Sequence, residues 1–175
     1  MSWSAEKSES CPTCEFQQNL NVLREIYFFS ALPLDTLKVF AYLCTRENFK
    51  LGDFLFTQDD DDGQAFYLIS GDAVLTRTEN GAEAIIRNYT EGDFFGALTL
   101  LGNSPRLFSL KASSPVTCLI ISRDKFVHVM NQYPQLMSNI FHAVARNIHH
   151  WEELFLSDRS EGCKACTQRI GVSLI

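Results

Sequence analysis

Apolar positions change their spacing twice along this chain. Between residues 15 and 45 they recur at helical intervals, as in Phe16, Leu20, Leu23 and Ile26. Ser30-Ala31-Leu32-Pro33 interrupts the pattern, and Pro33, whose fixed φ suits a first helical turn, predicts a second helix over Leu34 to Leu43. From Glu47 to Ser122 the grammar is that of strands. Glycines at 52, 63, 71, 81, 92, 96 and 102 separate short runs rich in aromatic and β-branched residues. These are Phe54 to Phe56, Phe66 to Ile69, Ala73 to Leu75, Ile85-Ile86 and Cys118 to Ile121. Asn80-Gly81 between two of them predicts a type I′ hairpin. Many short strands with regular turn signals predict a sandwich, barrel or jelly roll. From Tyr133 to about Phe155 the helical period returns, with Met137, Ile140, Val144, Ile148, Trp151 and Phe155 on one narrow stripe. Such a stripe either packs on its own barrel or forms a two-helix dimer seam.

The segmentation that follows is a loose polar segment over 1–14, one domain over 15–157 that includes the long helix, and a short tail over 158–175. A chain of 175 residues with 46% apolar content supports one substantial core and excludes a disordered chain. The net charge is −6, and the fifteen Lys and Arg are scattered. Direct nucleic-acid binding, which wants a basic patch, is not expected. No apolar run approaches the roughly 18 residues of a membrane span, and the first residues lack an apolar signal core. The expected location is therefore cytoplasmic, without membrane contact. Six cysteines in such a compartment point to thiols, metal ligands or redox pairs rather than a disulfide framework.

The stretch with most chemistry is Glu91 to Ser109, EGDFFGALTLLGNSPRLFS. Gly92 and Gly96 frame an aromatic pair, and Leu98 to Leu101 suits a single helical turn. A helix start after a glycine presents free backbone N–H groups to an anion. Asn103-Ser104-Pro105-Arg106 then delivers an arginine able to pair with the same anion. No carboxylate lies between Asp93 and Arg106.

Helices, a glycine-punctuated β-roll and a long final helix, in this order, resemble the cyclic nucleotide-binding domain family, which includes catabolite-activator-type regulators and regulatory subunits of cyclic-AMP-dependent kinase. The resemblance rests on Phe28-Phe29-Ser30-Ala31-Leu32, on Leu51 to Phe56 followed by Phe66 to Gly71, on Gly92-Asp93-Phe94-Phe95-Gly96 and on Pro105-Arg106 with Ser109. It implies a double-stranded β-helix, or jelly roll, followed by a long C-terminal helix, and a regulatory rather than enzymatic role. It implies that Arg106 pairs with a cyclic phosphate, that Ser109 donates a hydroxyl, and that the backbone of Gly96, Ala97 and Leu98 faces the ligand, with cAMP or cGMP as candidates. The family's ribose-binding glutamate falls on Ala97, which cannot accept that hydrogen bond. An unpaired buried hydroxyl costs about 1–3 kcal/mol, or roughly ten- to hundred-fold in affinity. Leu107 and Phe108 replace usually small residues, and in a strand they would point to opposite faces, one of them into the pocket. Trp151 and Glu152 fall where relatives meet the base, although Trp151 suits core or dimer seam equally. The resemblance implies a homodimer through the helix 134–156. DNA-binding relatives append a helix-turn-helix domain; only a short tail follows Phe155, so output is expected to pass through an unidentified partner protein.

Three further clusters remain. Cys11 with Cys14 and Cys163 with Cys166 are CxxC pairs, each suited to one edge of a tetrahedral zinc site, and otherwise readable as a redox centre or plain thiols. His142 and His149 share a helix face, as a metal or haem site at a dimer axis or as solvated side chains. Asp59 to Asp62 reads as a solvated turn. No nucleophile elbow, HExxH or Walker loop is present, and no catalytic set is expected.

Overall fold

A computed structural model describes residues 12–159. Three helices come first: α1 (Pro12–Glu25), α2 (Tyr27–Ser30) and α3 (Leu34–Leu43). Strands β1 (Thr45–Phe49), β2 (Phe54–Phe56), β3 (Gln64–Ser70), β4 (Ala73–Glu79), β5 (Ala82–Tyr89) and β6 (Phe94–Phe95) follow. After them come α4 (Ala97–Leu101), β7 (Ser109–Ala112), β8 (Val116–Ser122), α5 (Arg123–Gln132), a 3₁₀ turn (Pro134–Leu136) and α6 (Met137–Arg159). α1 thus starts inside the segment expected to be loose. The strands form two four-stranded antiparallel sheets, β1-β8-β3-β6 and β2-β7-β4-β5. This is the jelly roll with flanking helices that the sequence predicts.

Alternation along the strands creates two cores on opposite faces of one sheet. Phe66 and Leu68 of β3 and Phe95 of β6 point inward, joining Phe56, Leu75, Tyr89, Leu110 and Ile120 between the sheets. Tyr67 of β3 and Phe94 of β6, each one residue away, point outward to the helices. There Phe28, Phe29, Phe40 and Phe126 are each at most 1% exposed. Phe28 meets Phe29 edge-to-face at 5.0 Å and Phe126 at a tilt at 5.6 Å, and Phe40 stacks on Phe126 at 5.8 Å. Asn80 and Gly81 have φ of 52° and 80°, both positive, as a type I′ hairpin requires.

Two elements escape the hydrophobic pattern. β1 has a burial order of exposed and half-buried positions with no buried residue, so it carries no apolar signal; its pairing with β8 from Thr45 to Phe49 places it. α5 follows β8 without a turn residue between them. Its signals are Ser122, whose Oγ accepts from Lys125 N as an N-cap, and the helically spaced Phe126, Val129 and Met130. Lys125 Nζ also donates to Leu43 O at 2.8 Å, capping the end of α3.

The stripe of α6 is divided. Met137, Ile140 and Val144 pack into the chain's own helical core, whereas Ile148 is 38% and the off-stripe Phe141 57% exposed. Met137, Ile140 and Val144 therefore serve this domain's own core.

Replacing Phe126 by alanine is expected to cost about 3–5 kcal/mol, because it empties the centre of the aromatic cluster. Val127→Ala, next to it and exposed, should change stability by no more than about 0.5 kcal/mol. Urea unfolding of the two variants checks the contrast.

Candidate functional site

The cassette is built by a turn, a glycine and an arginine. Asp93 Oδ2 accepts from Thr90 N at 2.9 Å, and Gly92 N and Asp93 O bond the two polar groups of Leu68, which fixes the approach to β6. Gly96 follows with φ 84°. A Cβ there would lie 2.6 Å from Gln64 O and 3.1 Å from Arg106 Nη1, so only glycine lets the arginine and β3 close together. The chain then turns into α4, whose first intrahelical bond runs from Leu100 N to Gly96 O. The N–H groups of Ala97 and Leu98 precede it. The Ala97 side chain is buried and belongs to the helical core, while Leu98 is partly exposed.

Arg106 is 1% exposed, which makes it the largest fully buried side chain among the described residues. Its guanidinium lies 4.1 Å from the Phe56 ring centroid and 5.7 Å from that of Phe66. Nη2 donates to Asp62 Oδ1 at 2.8 Å, Asp62 Oδ2 at 3.0 Å and Gln64 O at 2.6 Å. Nε donates to Asp62 Oδ2 at 3.3 Å. Nη1 is buried with no partner among the described residues. Burial drives the guanidinium pKa down, and Asp62 pushes it back up. The backbone of Arg106 is tied to the same loop: its N–H donates to Asp60 O at 2.8 Å, and its C=O accepts from Asp59 N at 2.7 Å.

The acidic run is accordingly more than a solvated turn. Asp59 and Asp60 are exposed, but Asp62 neutralises Arg106 and Asp61 pairs with Arg123. Arg123 also donates from Nε to Thr99 O of α4 at 2.6 Å and from Nη1 to Asn103 Oδ1 at 3.0 Å. Two arginines thus clamp the β2–β3 loop to both ends of the cassette. Sequence reading missed this loop because four consecutive aspartates look alike; only the fold gives each a different neighbour.

The other predicted residues divide. Ser109 opens β7 beside the anchor, and its Oγ accepts from Gln58 N at 2.9 Å, which leaves the hydroxyl proton available. Leu107 and Phe108 lie in a bend, not a strand. Leu107 is 54% exposed, and Phe108 packs against the inter-sheet core with Arg77 over its ring at 5.6 Å. Glu152 is exposed on α6 and faces His149 of its own helix at 3.9 Å. The side chain of Trp151 and residues Cys11, Cys163 and Cys166 lie outside what is described. Cys14 is exposed as a free thiol. Burial pushes the Cys44 and Cys118 thiols up to about 12, so both stay protonated and unreactive at neutral pH. Among the described residues no three His, Cys, Asp or Glu side chains gather as a metal site, and no helix is long and apolar enough to cross a membrane.

Two antiparallel sheets rolled around a glycine-arginine cassette define a jelly roll with a buried cationic anchor. The family model for the cyclic nucleotide-binding domain matches residues 46–133, half of the chain, and the chain belongs to that family. The cAMP-dependent protein kinase regulatory subunit of Aspergillus niger is 36% identical over 117 residues, covering 66% of this chain and 28% of the relative. The cGMP-dependent protein kinase 2 of Homo sapiens is 24% identical over 147 residues, covering 82% of this chain and 19% of the relative. The chain spans about a quarter to a third of the length of the first regulatory subunits it matches. Among solved structures, the N-terminal domain of a transcriptional regulator from Streptomyces coelicolor A3(2) superposes with a TM-score of 0.67 at 23% identity, covering 76% of this chain and 94% of that one. The regulatory domain of Toxoplasma gondii PKA with cAMP gives 0.61 at 20% identity, covering 72% and 49%.

The Asp61 carboxyl is held below the ordinary 3.8, first by the hydrogen bond from Arg123 and further by the backbone N–H groups of Ser104 and Gly63. Its folded pKa lies below the unfolded one, so its contribution is present above the ordinary value and is lost as pH falls through the folded one. A carboxyl-detected NMR titration should place the Asp61 midpoint below 3.8 and raise it in Arg123→Gln. An unchanged midpoint would show that the clamp does not form in solution.

Proposed function

We propose that this chain is a non-catalytic regulatory module that reads an anionic ligand of the cyclic-nucleotide type at the Arg106 cassette, which keeps the phosphate anchor but has no acceptor for the ribose hydroxyl. One observation supports this above the others. A guanidinium is buried beside Gly96 with Asp62 already on one edge and Nη1 unpartnered among the described residues. Nη1, the proton of Ser109 Oγ and the N–H groups of Ala97 and Leu98 are donors that suit a phosphodiester anion. The neighbouring methyl of Ala97 offers nothing to a ribose hydroxyl.

Asp62 changes the energetics of such a site. A bound phosphate must share Arg106 with a carboxylate or displace it. Displacement frees the β2–β3 loop that the same pair holds, and the two arrangements form an equilibrium that ligand biases. The expected consequence is weak binding of cAMP or cGMP with a large loop response. Output through a partner protein or a second copy of the chain fits the outer face of α6, where Phe141 and Ile148 are exposed.

Calorimetric titration with cAMP and with cGMP tests the reading. 2′-Deoxy-cAMP should bind within about threefold of cAMP, because no acceptor meets the hydroxyl that it lacks. Arg106→Met combined with Asp62→Leu, which removes both charges together, should abolish binding. Thermal unfolding of parent and variant shows that each is folded. A folded parent chain that gives no heat with either nucleotide would leave the roll as a docking scaffold instead.

A further inference from the structure

The helix-facing side of the β3–β6 sheet holds a cleft that the cassette does not use. A cavity of about 370 Å³ opens between the α1–α2 elbow, the turn into β6 and α6, lined by Glu25, Tyr27, Tyr67, Asp93, Phe94 and Asn147. A second hollow of about 300 Å³ adjoins it through Tyr27 and Asn147 and reaches Arg146 and His150. Tyr67 and Phe94 are the outward neighbours of Phe66 and Phe95, so the sheet itself separates this cleft from Arg106.

Two polar atoms in the shared wall lack partners among the described residues: the Tyr27 hydroxyl and Asn147 Nδ2, both buried. Each is a hydrogen-bond donor, and a buried donor without an acceptor costs about 1–3 kcal/mol. The phenol remains protonated, because burial pushes Tyr27 up to about 12. The opposite wall is acidic. Asp93 uses Oδ2 for Thr90 N, and Glu25 is exposed at the rim. Burial first, and then the charges of Glu25, Glu91 and Asp93, raise the Tyr67 pKa. The Tyr27 and Phe94 rings stand edge-to-face at 6.3 Å, with Tyr67 completing an aromatic wall.

We propose that this cleft is a second ligand site, separate from the cassette, for a small planar heteroaromatic amine that is neutral or cationic. Two of its ring acceptors accept hydrogen bonds from the Tyr27 hydroxyl and Asn147 Nδ2, its ring packs on Tyr67 and Phe94, and its amino group faces Glu25 and Asp93. An anionic ligand is disfavoured at the acidic wall. Phe94 lies two residues before Gly96, so an occupant touches the strand that leads into the cassette.

Adenine, which carries neither ribose nor phosphate, is a suitable probe for the full chain, with benzoate as the anionic control. Amide-detected NMR should show shifts centred on Tyr27, Phe94 and the Asn147 side chain, with a dissociation constant on the order of 1 mM. Benzoate should cause none. Tyr27→Phe with Asn147→Leu should weaken adenine at least ten-fold, while the Arg106→Met, Asp62→Leu protein keeps it. Tyr27→Phe alone should raise the melting temperature of the free protein by about 2–4 °C, because it removes an unsatisfied hydroxyl. No adenine shifts, shifts centred on inward residues such as Leu75 and Leu110, or a lower melting temperature for Tyr27→Phe (the sign of a resident water partner) would each overturn the proposal.

Discussion

A guanidinium buried against two phenyl rings is the constraint around which this domain is arranged. Moving an isolated ion of that size into a low-dielectric interior costs several kcal/mol even after relaxation. The chain offsets this with Asp62, whose two oxygens meet Nη2 and Nε, with the Gln64 carbonyl, and with the faces of Phe56 and Phe66. Each of these partners imposes a position on its own segment. Asp62 fixes the β2–β3 loop, Gln64 the start of β3, and Phe56 the end of β2. Gly96 must stay without a side chain so that the arginine can lie against β3. One charge thus ties the stretch from Phe56 to Gln64 to Gly96 and the cassette, which lie far along the chain.

The same geometry explains why the domain has two faces with different chemistry. Inward residues of β3 and β6 form the face on which Arg106 lies, with Phe66 against its guanidinium. Outward residues of the same strands meet the aromatic helices, where Phe28, Phe40 and Phe126 make a rigid wall. α6 rests on this second face through Ile140 and Val144, so a change at the cassette and a change in the helix share the thickness of one sheet. Arg123 adds a direct tie, since it joins Asp61, Thr99 and Asn103 at the start of α5.

Much of this was legible in the sequence, for physical reasons that differ by element. The hairpin at Asn80-Gly81 was legible because two successive positive φ values demand such residues. The pairing of Gly96 with Arg106 was legible through the resemblance to the family, and the close approach of the two explains why a glycine stands there. Expectations were weaker where function depends on a partner remote in sequence. Asp62 is 44 residues from Arg106, and nothing local separates it from Asp59, Asp60 and Asp61. β1 shows no buried position, and α5 begins where a strand ends without a break. Leu107 and Phe108 were expected in a strand, but the bend sends one to solvent and lays the other beneath Arg77.

The most direct measurement is a double-mutant cycle on the pair itself, using Arg106→Met, Asp62→Leu and the two combined, followed by denaturant unfolding. If Asp62 is what permits the buried guanidinium, Asp62→Leu alone should cost about 3–5 kcal/mol, because it strands an uncompensated charge. The combined variant should then be less destabilised than the sum of the two by at least about 2 kcal/mol. Additive losses, or a single Asp62→Leu variant as stable as the parent, would contradict the account.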